Sequence, residues 1–457
     1  MLETKKTMIF VGVAVGLALI AFLSAPSYVT PDAFLDQGEP FFPDFADPNE
    51  ATTLEVVEYN EQTGEASPFK VTFEAGVWTI PSHNGYPADG KDRLAKTAAG
   101  VIGIKKDDFR SNNVADHEAC GVVDPLDESA GLAGRGKRVT LKKEDGSVLA
   151  DFIVGNEVPD REGFRFVRIP DQKRIFSVRM DLDLSTRFVD WIERDLLKTS
   201  KDAIRQIVVK DYSINERTRQ VDNRDKLILR RTDDGWTTPR MSKSKEVAAD
   251  KMDQMIATLD TLMIVGVRPK TKGLADALKE GLGEKSVGRA EAQSLQSKGY
   301  YFTRDGKLLS NEGEIGVRTE EGIIYTLRFG EVVYGSGLAV TAGTDNESSR
   351  KKSDIAENRY LFVTAEFDES TFPEPPRPAD TSFMSKPDSL MTDNDKKNKR
   401  LQGDYERWQI SIANVRRITN DLNARFSHWY YVISSDSYDK LHLNRADLIV
   451  AKKDDKS

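Results

Sequence analysis

Phe69-Lys70-Val71-Thr72-Phe73, Gly76-Val77-Trp78-Thr79-Ile80-Pro81 and Asp92-Arg93-Leu94 follow one another in the first half of this chain. Leu227-Ile228-Leu229-Arg230-Arg231, Gly235-Trp236-Thr237-Thr238-Pro239 and Asp250-Lys251-Met252 follow in the same order further on. Trp78 and Trp236 are 158 positions apart, and so are Pro81 and Pro239, Asp92 and Asp250, and Leu94 and Met252. One offset held across a strand-like run, a turn and a helix-like stretch marks an internal duplication. The match extends upstream, where Leu54-Glu55-Val56-Val57-Glu58-Tyr59 resembles Ile207-Val208-Val209-Lys210-Asp211-Tyr212. Downstream, two strand-like runs meet at Asp145-Gly146 in the first copy and at Glu321-Gly322 in the second, the signature of a hairpin. There the offset has drifted to 176, so the second copy carries an insertion, within which Tyr300 to Leu309 reads as an extra hairpin.

Each copy therefore reads as antiparallel strands, one amphipathic helix and further strands. The fold class is α+β: two tandem related units of mostly antiparallel sheet with a packed helix, spanning residues 50–200 and 201–367. In the second copy Ala248, Met252, Met255, Ile256, Leu259, Leu262 and Met263 recur at spacings of three and four, which predicts one apolar stripe laid on the sheet. Residues 368–400 hold Pro373, Pro375, Pro376, Pro378 and Pro387 among many polar residues, and read as a linker, part extended and part disordered. Residues 401–457 read as a C-terminal helical segment. Trp408, Ile412, Val415, Ile418, Leu422 and Phe426 form a stripe on a helix from about Lys399, and the run Trp429 to Ile433 reads as a strand. The stripe must dock on the protein's own repeats or on a partner, because an amphipathic helix gains most of its stability from burying that face.

Residues 1–30 contain an uncharged run, Met8 to Ala25, preceded by Lys5 and Lys6 and followed by no charge until Asp32. Eighteen residues at 1.5 Å each span about 27 Å, close to the hydrocarbon core of a bilayer. The expectation is a single-pass N-terminal transmembrane anchor in the cytoplasmic (inner) membrane, with the N-terminus in the cytoplasm and a periplasmic body. A cleaved signal peptide is the alternative, with a small-x-small site at Ala25-Pro26-Ser27. Gly12 and Gly16 form a Gly-x-x-x-Gly pair, a weak signal in so Gly- and Ala-rich a segment. The remaining composition, 39% hydrophobic and 31% charged, supports real cores in two to four domains and excludes wholesale disorder. Net charge is −8 with no long basic stripe, which argues against a nucleic-acid partner.

Chemical signatures are sparse. The single cysteine, Cys120, permits no intramolecular disulfide, and with His117 nearby it reads as a small buried hydrophobe rather than a nucleophile. Gly131 to Lys137 matches the start of a phosphate loop, but Arg138 stands where the magnesium-binding hydroxyl belongs. The stretch also opens a strand instead of a helix, so it reads as a surface turn. Gly283-Glu284-Lys285-Ser286 lacks the Gly-Lys adjacency, and Gly-x-Ser-x-Gly is absent. His83, His117, His428 and His442 show no zinc-ligand pairing. Abundant carboxylates single out no pair. The expectation is no catalytic, cofactor-binding or metal-ligating residues, and no enzyme.

The anchor, the repeat and the Trp78-Thr79-Ile80-Pro81 and Trp236-Thr237-Thr238-Pro239 elements resemble a bacterial family known only as domain of unknown function 4340, over roughly residues 50–370. Trp429-Tyr430-Tyr431-Val432-Ile433 with Asn444-Arg445-Ala446-Asp447-Leu448 resembles a planctomycete-type subgroup. The resemblance implies an accessory component of a gliding-type ABC transporter, with a permease or auxiliary subunit as partner, and transfers no functional residue. An envelope binding or scaffolding protein without a transporter is the alternative, followed by an envelope hydrolase.

Overall fold

The computed structural model describes residues 2–23, 36–215, 218, 220–279, 288–303, 307–335, 338–342 and 357–452. Two compact units divide the chain: Met1–Phe73 with Lys91–Leu184, and Glu74–Gly90 with Ser185–Ser457. In chain order the first repeat comprises β1 (Thr53–Asn60), β2 (Glu65–Glu74), β3 (Val77–Ile80), β4 (Tyr86–Pro87), α2 (Lys91–Ile102), β5 (Asp108–Ser111), α3 (Asp116–Cys120), β6 (Lys137–Lys142), β7 (Val148–Glu157), β8 (Phe164–Arg168) and β9 (Ile175–Arg179), with helix α1 (Leu2–Leu23) before it. The second comprises β10 (Ile204–Asn215), β11 (Gln220–Thr232), β12 (Gly235–Thr237), β13 (Lys245–Val247), α4 (Ala249–Asp260), β14 (Gly266–Pro269), α5 (Lys272–Lys279), α6 (Arg289–Gln296), β15 (Tyr300–Phe302), β16 (Leu308–Ser310), β17 (Glu314–Thr319), β18 (Ile323–Val333), α7 (Leu338–Thr341) and β19 (Asn358–Phe367). After it come α8 (Asp393–Ser427), β20 (Trp429–Ile433), α9 (Ser435–Leu441), α10 (Arg445–Leu448) and β21 (Ile449–Ala451).

The duplication is visible in strand order. In the first unit antiparallel strands run β2-β1-β6-β7-β8-β9-β5. In the second they run β12-β11-β10-β17-β18-β19-β20-β14. In both, the strand that follows the amphipathic helix, β5 or β14, takes the far edge. The registers correspond as well. Val71, Leu54, Leu141 and Ala150 stand opposite one another across four strands of the first sheet, all buried. Leu229, Ile207, Val317 and Tyr325 form the same buried row in the second. Leu94 and Met252 are each the fourth residue of a 12-residue helix and each 1% exposed. Trp78 and Trp236 are each the second residue of the short strands β3 and β12.

Four expectations need revision. The helical stripe of the second copy does not reach Met263, which is 50% exposed. α4 ends at Asp260, and beyond it side chains no longer follow helical spacing, so Leu262 turns inward and Met263 outward. The Pro-rich stretch is more ordered than a linker. It makes 3-10 turns at Glu369–Thr371, Ser382–Ser385 and Asp388–Leu390, and buries Phe383. α8 starts at Asp393, upstream of Lys399, because Thr392 and Asp395 form a capping box there, with Lys386 Nζ 2.9 Å from the Asp395 carboxylate. Most consequentially, the segment 401–457 is not separate from the second unit. β20 lies between β19 and β14 and pairs with both, which makes it the counterpart of β9. Ile412, Val415, Leu422 and Phe426 of α8 are buried and the Ala365 backbone bonds Asn423 on both sides, so the stripe docks on its own unit. The extra hairpin is present as β15–β16 with residues 304–306 outside the description.

Among the described residues no helix is long and apolar enough to cross a membrane. The expected span, residues 8–25, overruns α1, which ends at Leu23. Residues 24–35 lie outside the described residues, as do residues 283–286.

Glu74–Gly90, although part of the first copy in sequence, is counted in the second unit, and three adjacent side chains show why. His83 stacks on Phe188 at 4.6 Å and shares a 2.9 Å hydrogen bond with Thr341 Oγ1. Asn84 Nδ2 donates to the Ala342 carbonyl at 3.0 Å, and Tyr86 meets Phe188 and Trp429 edge-on. Burial, with a smaller push from Arg268, holds His83 down to about 4.

Removing every residue after Asp380 is expected to delete an interior strand and abolish cooperative unfolding of the second unit. An unchanged melting curve would contradict the assignment of β20. For His83 the neutral ring is the folded form. Its contribution is complete above the unfolded value of 6.5 and is lost as pH falls from there toward about 4, at most about 3 kcal/mol. His83→Gln should flatten the dependence of unfolding free energy on pH between 7 and 4.5. An equally steep curve in the variant would exclude His83 as its source.

Candidate functional site

Two clefts stand out among the described residues of the second unit. The first, of about 330 Å³, is built by the residues Lys198 and Thr199, by Thr319, Glu321, Ile323 and Tyr325 around the β17–β18 hairpin, and by Ile418, Asp421, Leu422 and Arg425 of α8. β18 alternates inward and outward, so Ile323 and Tyr325 share the face that α8 covers. Arg425 projects from the last turns of α8, where Nη1 donates to the carbonyls of Asp195 at 3.0 Å and Leu196 at 3.3 Å. The Asp195 carboxylate accepts the Lys198 N–H at 2.6 Å, and burial raises it above the usual carboxylate range. Lys198 has φ 52°, a left-handed conformation costly for a residue with a Cβ. Tyr325 is 2% exposed, and burial followed by the charges of Asp195 and Glu321 raises its phenol.

The second cleft, of about 230 Å³, is lined by Lys210, Asp211, Arg224, Glu314, Phe329 and His442, among others. It gathers two carboxylates, an imidazole and two cations, yet its charges already have partners. Glu314, 4% exposed, accepts from Lys210 Nζ at 2.5 Å and Tyr212 Oη at 3.1 Å, with Arg328 Nε also 3.1 Å away. Burial and the Glu314 charge push Tyr212 up to about 12. Arg224 binds Asp211 and Ser213. His442 stacks on Tyr438 at 4.7 Å and is lowered by burial. This network stabilises the core of the second sheet.

The positions singled out in the sequence are dispersed. Cys120 is 4% exposed in an apolar cluster with Val122, Ile153, Phe166 and Ile175, and burial pushes its thiol up. His117 Nε2 is spent on the Lys173 carbonyl at 2.9 Å. Gly131 to Lys137 is a turn closed around Arg135, whose guanidinium donates to five carbonyls, those of Asp124, Pro125, Asp127, Ala130 and Gly131. Gly134 is required there, because a Cβ would fall 2.4 Å from the Glu118 carbonyl oxygen. Among the described residues no group of three or more His, Cys, Asp or Glu could hold a metal ion. Sequence reasoning did not find the first cleft. Thr199, Tyr325 and Arg425 come from three distant segments, and Tyr325 reads as one more inward residue of an alternating strand.

A family model matches the chain from Trp78 in β3 to position 280, just past α5. The model is that of DUF4340, a domain of unknown function, and the likeness covers less than half of the chain. No curated protein and no solved structure matches the chain. The DUF4340 stretch is narrower than the duplication. It runs from the hairpin of the first copy to the inserted helices of the second, and so contributes Lys198 and Thr199 to the first cleft and Lys210 and Arg224 to the second. Tyr325, Arg425, Glu314 and His442 lie beyond it.

Glu314→Ala is expected to destabilise the second unit by about 3 kcal/mol, because it strands Arg328 and Lys210 without their buried counter-charge. Denaturant unfolding measures this, and a change under about 0.5 kcal/mol would show that the network contributes little.

Proposed function

We propose that this chain is a membrane-tethered, non-enzymatic extracytoplasmic component that assembles with a gliding-type ABC transporter. One observation carries the tether. Along α1, Met8, Phe10, Val11, Val13, Val15, Leu17, Leu19 and Ile20 are all between 54% and 78% exposed, leaving the helix no polar face. A helix that is apolar all round is stable in lipid or in a protein core, and here no core covers these residues. The uncharged run Met8 to Ala25 would extend about 27 Å as a helix, close to the thickness of a hydrocarbon layer. Lys5 and Lys6 on the N-terminal side favour a cytoplasmic N-terminus and a body outside. The transporter rests on the family resemblance, and the planctomycete-type run Trp429 to Ile433 belongs to the same reading.

The test is purification of the full chain from native membranes in mild detergent, with identification of what accompanies it. The expected result is recovery only after detergent extraction, together with an ABC permease or auxiliary subunit at comparable amount. Release into the aqueous fraction without detergent would defeat the tether. Recovery from membranes with no transporter subunit would defeat the assembly.

A further inference from the structure

The stretch 74–90 grips the second unit through a tight corner. The 3-10 turn Pro81–His83 ends at Asn84 with φ 59°, and Gly85 follows with φ 72°. Asparagine and glycine adopt this left-handed backbone more readily than other residues. At the corner His83, 2% exposed, bonds Thr341 at the end of α7, and Asn84 bonds the carbonyl of the next residue, Ala342. Further along, Tyr86 packs on Phe188 and Trp429, and the Asp89 N–H donates to the Trp191 carbonyl at 2.8 Å. The stretch is a strap held at several points, all within the second unit. The constant offset puts Met241 and Ser242 at the matching positions of the second copy. The imidazole is therefore particular to this strap and not a feature of the repeat.

The surroundings of the His83 ring suit its neutral form. Nδ1 is 3.0 Å from Ser82 Oγ and Nε2 is 2.9 Å from Thr341 Oγ1, while the ring face stacks on Phe188. A neutral imidazole donates through one nitrogen and accepts through the other. A second proton forces both hydroxyls to accept and sets a charge against an apolar ring. The charge that bears on His83 is Arg268 of β14, which repels a protonated ring and is itself fixed to the Val267 and Val340 carbonyls. On the other elements packed here, α7 has no ionisable side chain. The turn at Phe188 carries Arg187 and Asp190, and Asp190 accepts from Ser185 and Arg194. On the strap itself, Tyr86 interacts with Arg425 and Tyr431, and burial raises its phenol.

We infer that residues 74–90 form a proton-sensitive strap, closed on Phe188 and Trp429 while His83 is neutral and lifted from them when His83 takes up a proton. The direction follows from linkage. A base whose closed-state value is lowered favours the closed form fully above the free value of 6.5, and loses that preference as pH falls toward about 4. Lifting uncovers the rings of Phe188 and Trp429 and leaves the rest of the second sheet folded. The device belongs to the second unit and does not depend on the membrane tether.

The test is amide hydrogen exchange of the full chain in phosphatidylcholine nanodiscs from pH 7 to 4.5, corrected for the intrinsic effect of pH and repeated in low denaturant. Asp89 reports the strap and Leu327 the middle of the second sheet. A ring moved from 6.5 to about 4 permits a rise of roughly fiftyfold in the lifted form over this range. Protection of Asp89 is expected to fall at least about tenfold, with the slope of one proton beginning near pH 6.5, and to fall less than about threefold in His83→Gln. Asp89 is also expected to exchange through a denaturant-independent opening, and Leu327 only through global unfolding. Constant protection of Asp89, an equal fall in the variant, or one denaturant slope shared with Leu327 at every pH would overturn the proposal. The wild type decides even if the variant does not fold. A fall that starts only below about pH 5 reports the strap's carboxylates, Glu74 and Asp89, and overturns it as well.

Discussion

β20 has a hydrogen-bonded strand on each side, and the second sheet depends on that. Tyr430, Tyr431, Val432 and Ile433 are each fully buried. At about 1.5–3 kcal/mol for burying one large apolar side chain, these residues contribute on the scale of a whole domain's net stability. Without them β14 has no neighbour and the far end of β19 becomes an open edge. The second copy therefore closes only after the chain has left its sheet at Phe367, passed through the Pro-rich turns and α8, and returned at Trp429. In the first copy the same step, from Arg168 to Ile175, is a short turn. α8 is the connection between two neighbouring strands of one sheet, which is why its apolar stripe has a receiving surface at hand.

The duplication also shows where the copies diverged. Both keep a strand order, a helix start and a row of inward residues. The second adds α5, α6, the β15–β16 hairpin and α8, and both clefts lie in this copy. Insertions into a sheet scaffold create concave surfaces at their joins, and the change from Ala150 to Tyr325 lies beneath one of them. The cleft under α8 and the network around Glu314 contrast usefully. In one, titratable groups find their partners inside the protein. In the other, Arg425 is held by the main-chain carbonyls of Asp195 and Leu196, and Tyr325 and Thr199 line an open cleft.

Much of this was legible in the residues. The constant offset from Trp78 to Met252 revealed the repeat, and Asp145-Gly146 and Glu321-Gly322 marked both hairpins, because turn chemistry is local. The destination of Trp429 to Ile433 was not legible. A strand's composition reports that it is buried, not which strands it pairs with, and the polar, Pro-rich run before it has the composition of a boundary. The early start of α8 was readable in principle from Thr392-x-x-Asp395 and was obscured by the charges that follow. The first cleft had no sequence signal, since its residues come from distant segments that only the fold brings together.

The central claim is that residues 429–433 complete the second repeat and do not form an appendage. Amide hydrogen exchange of Tyr430, Tyr431 and Val432 in the full chain, followed against denaturant, tests it most directly. These amides are expected to exchange only through global unfolding of the second unit, with the same free energy and denaturant slope as Ile207 and Leu327. Exchange through a smaller, denaturant-independent opening, while Ile207 and Leu327 stay protected, would contradict it.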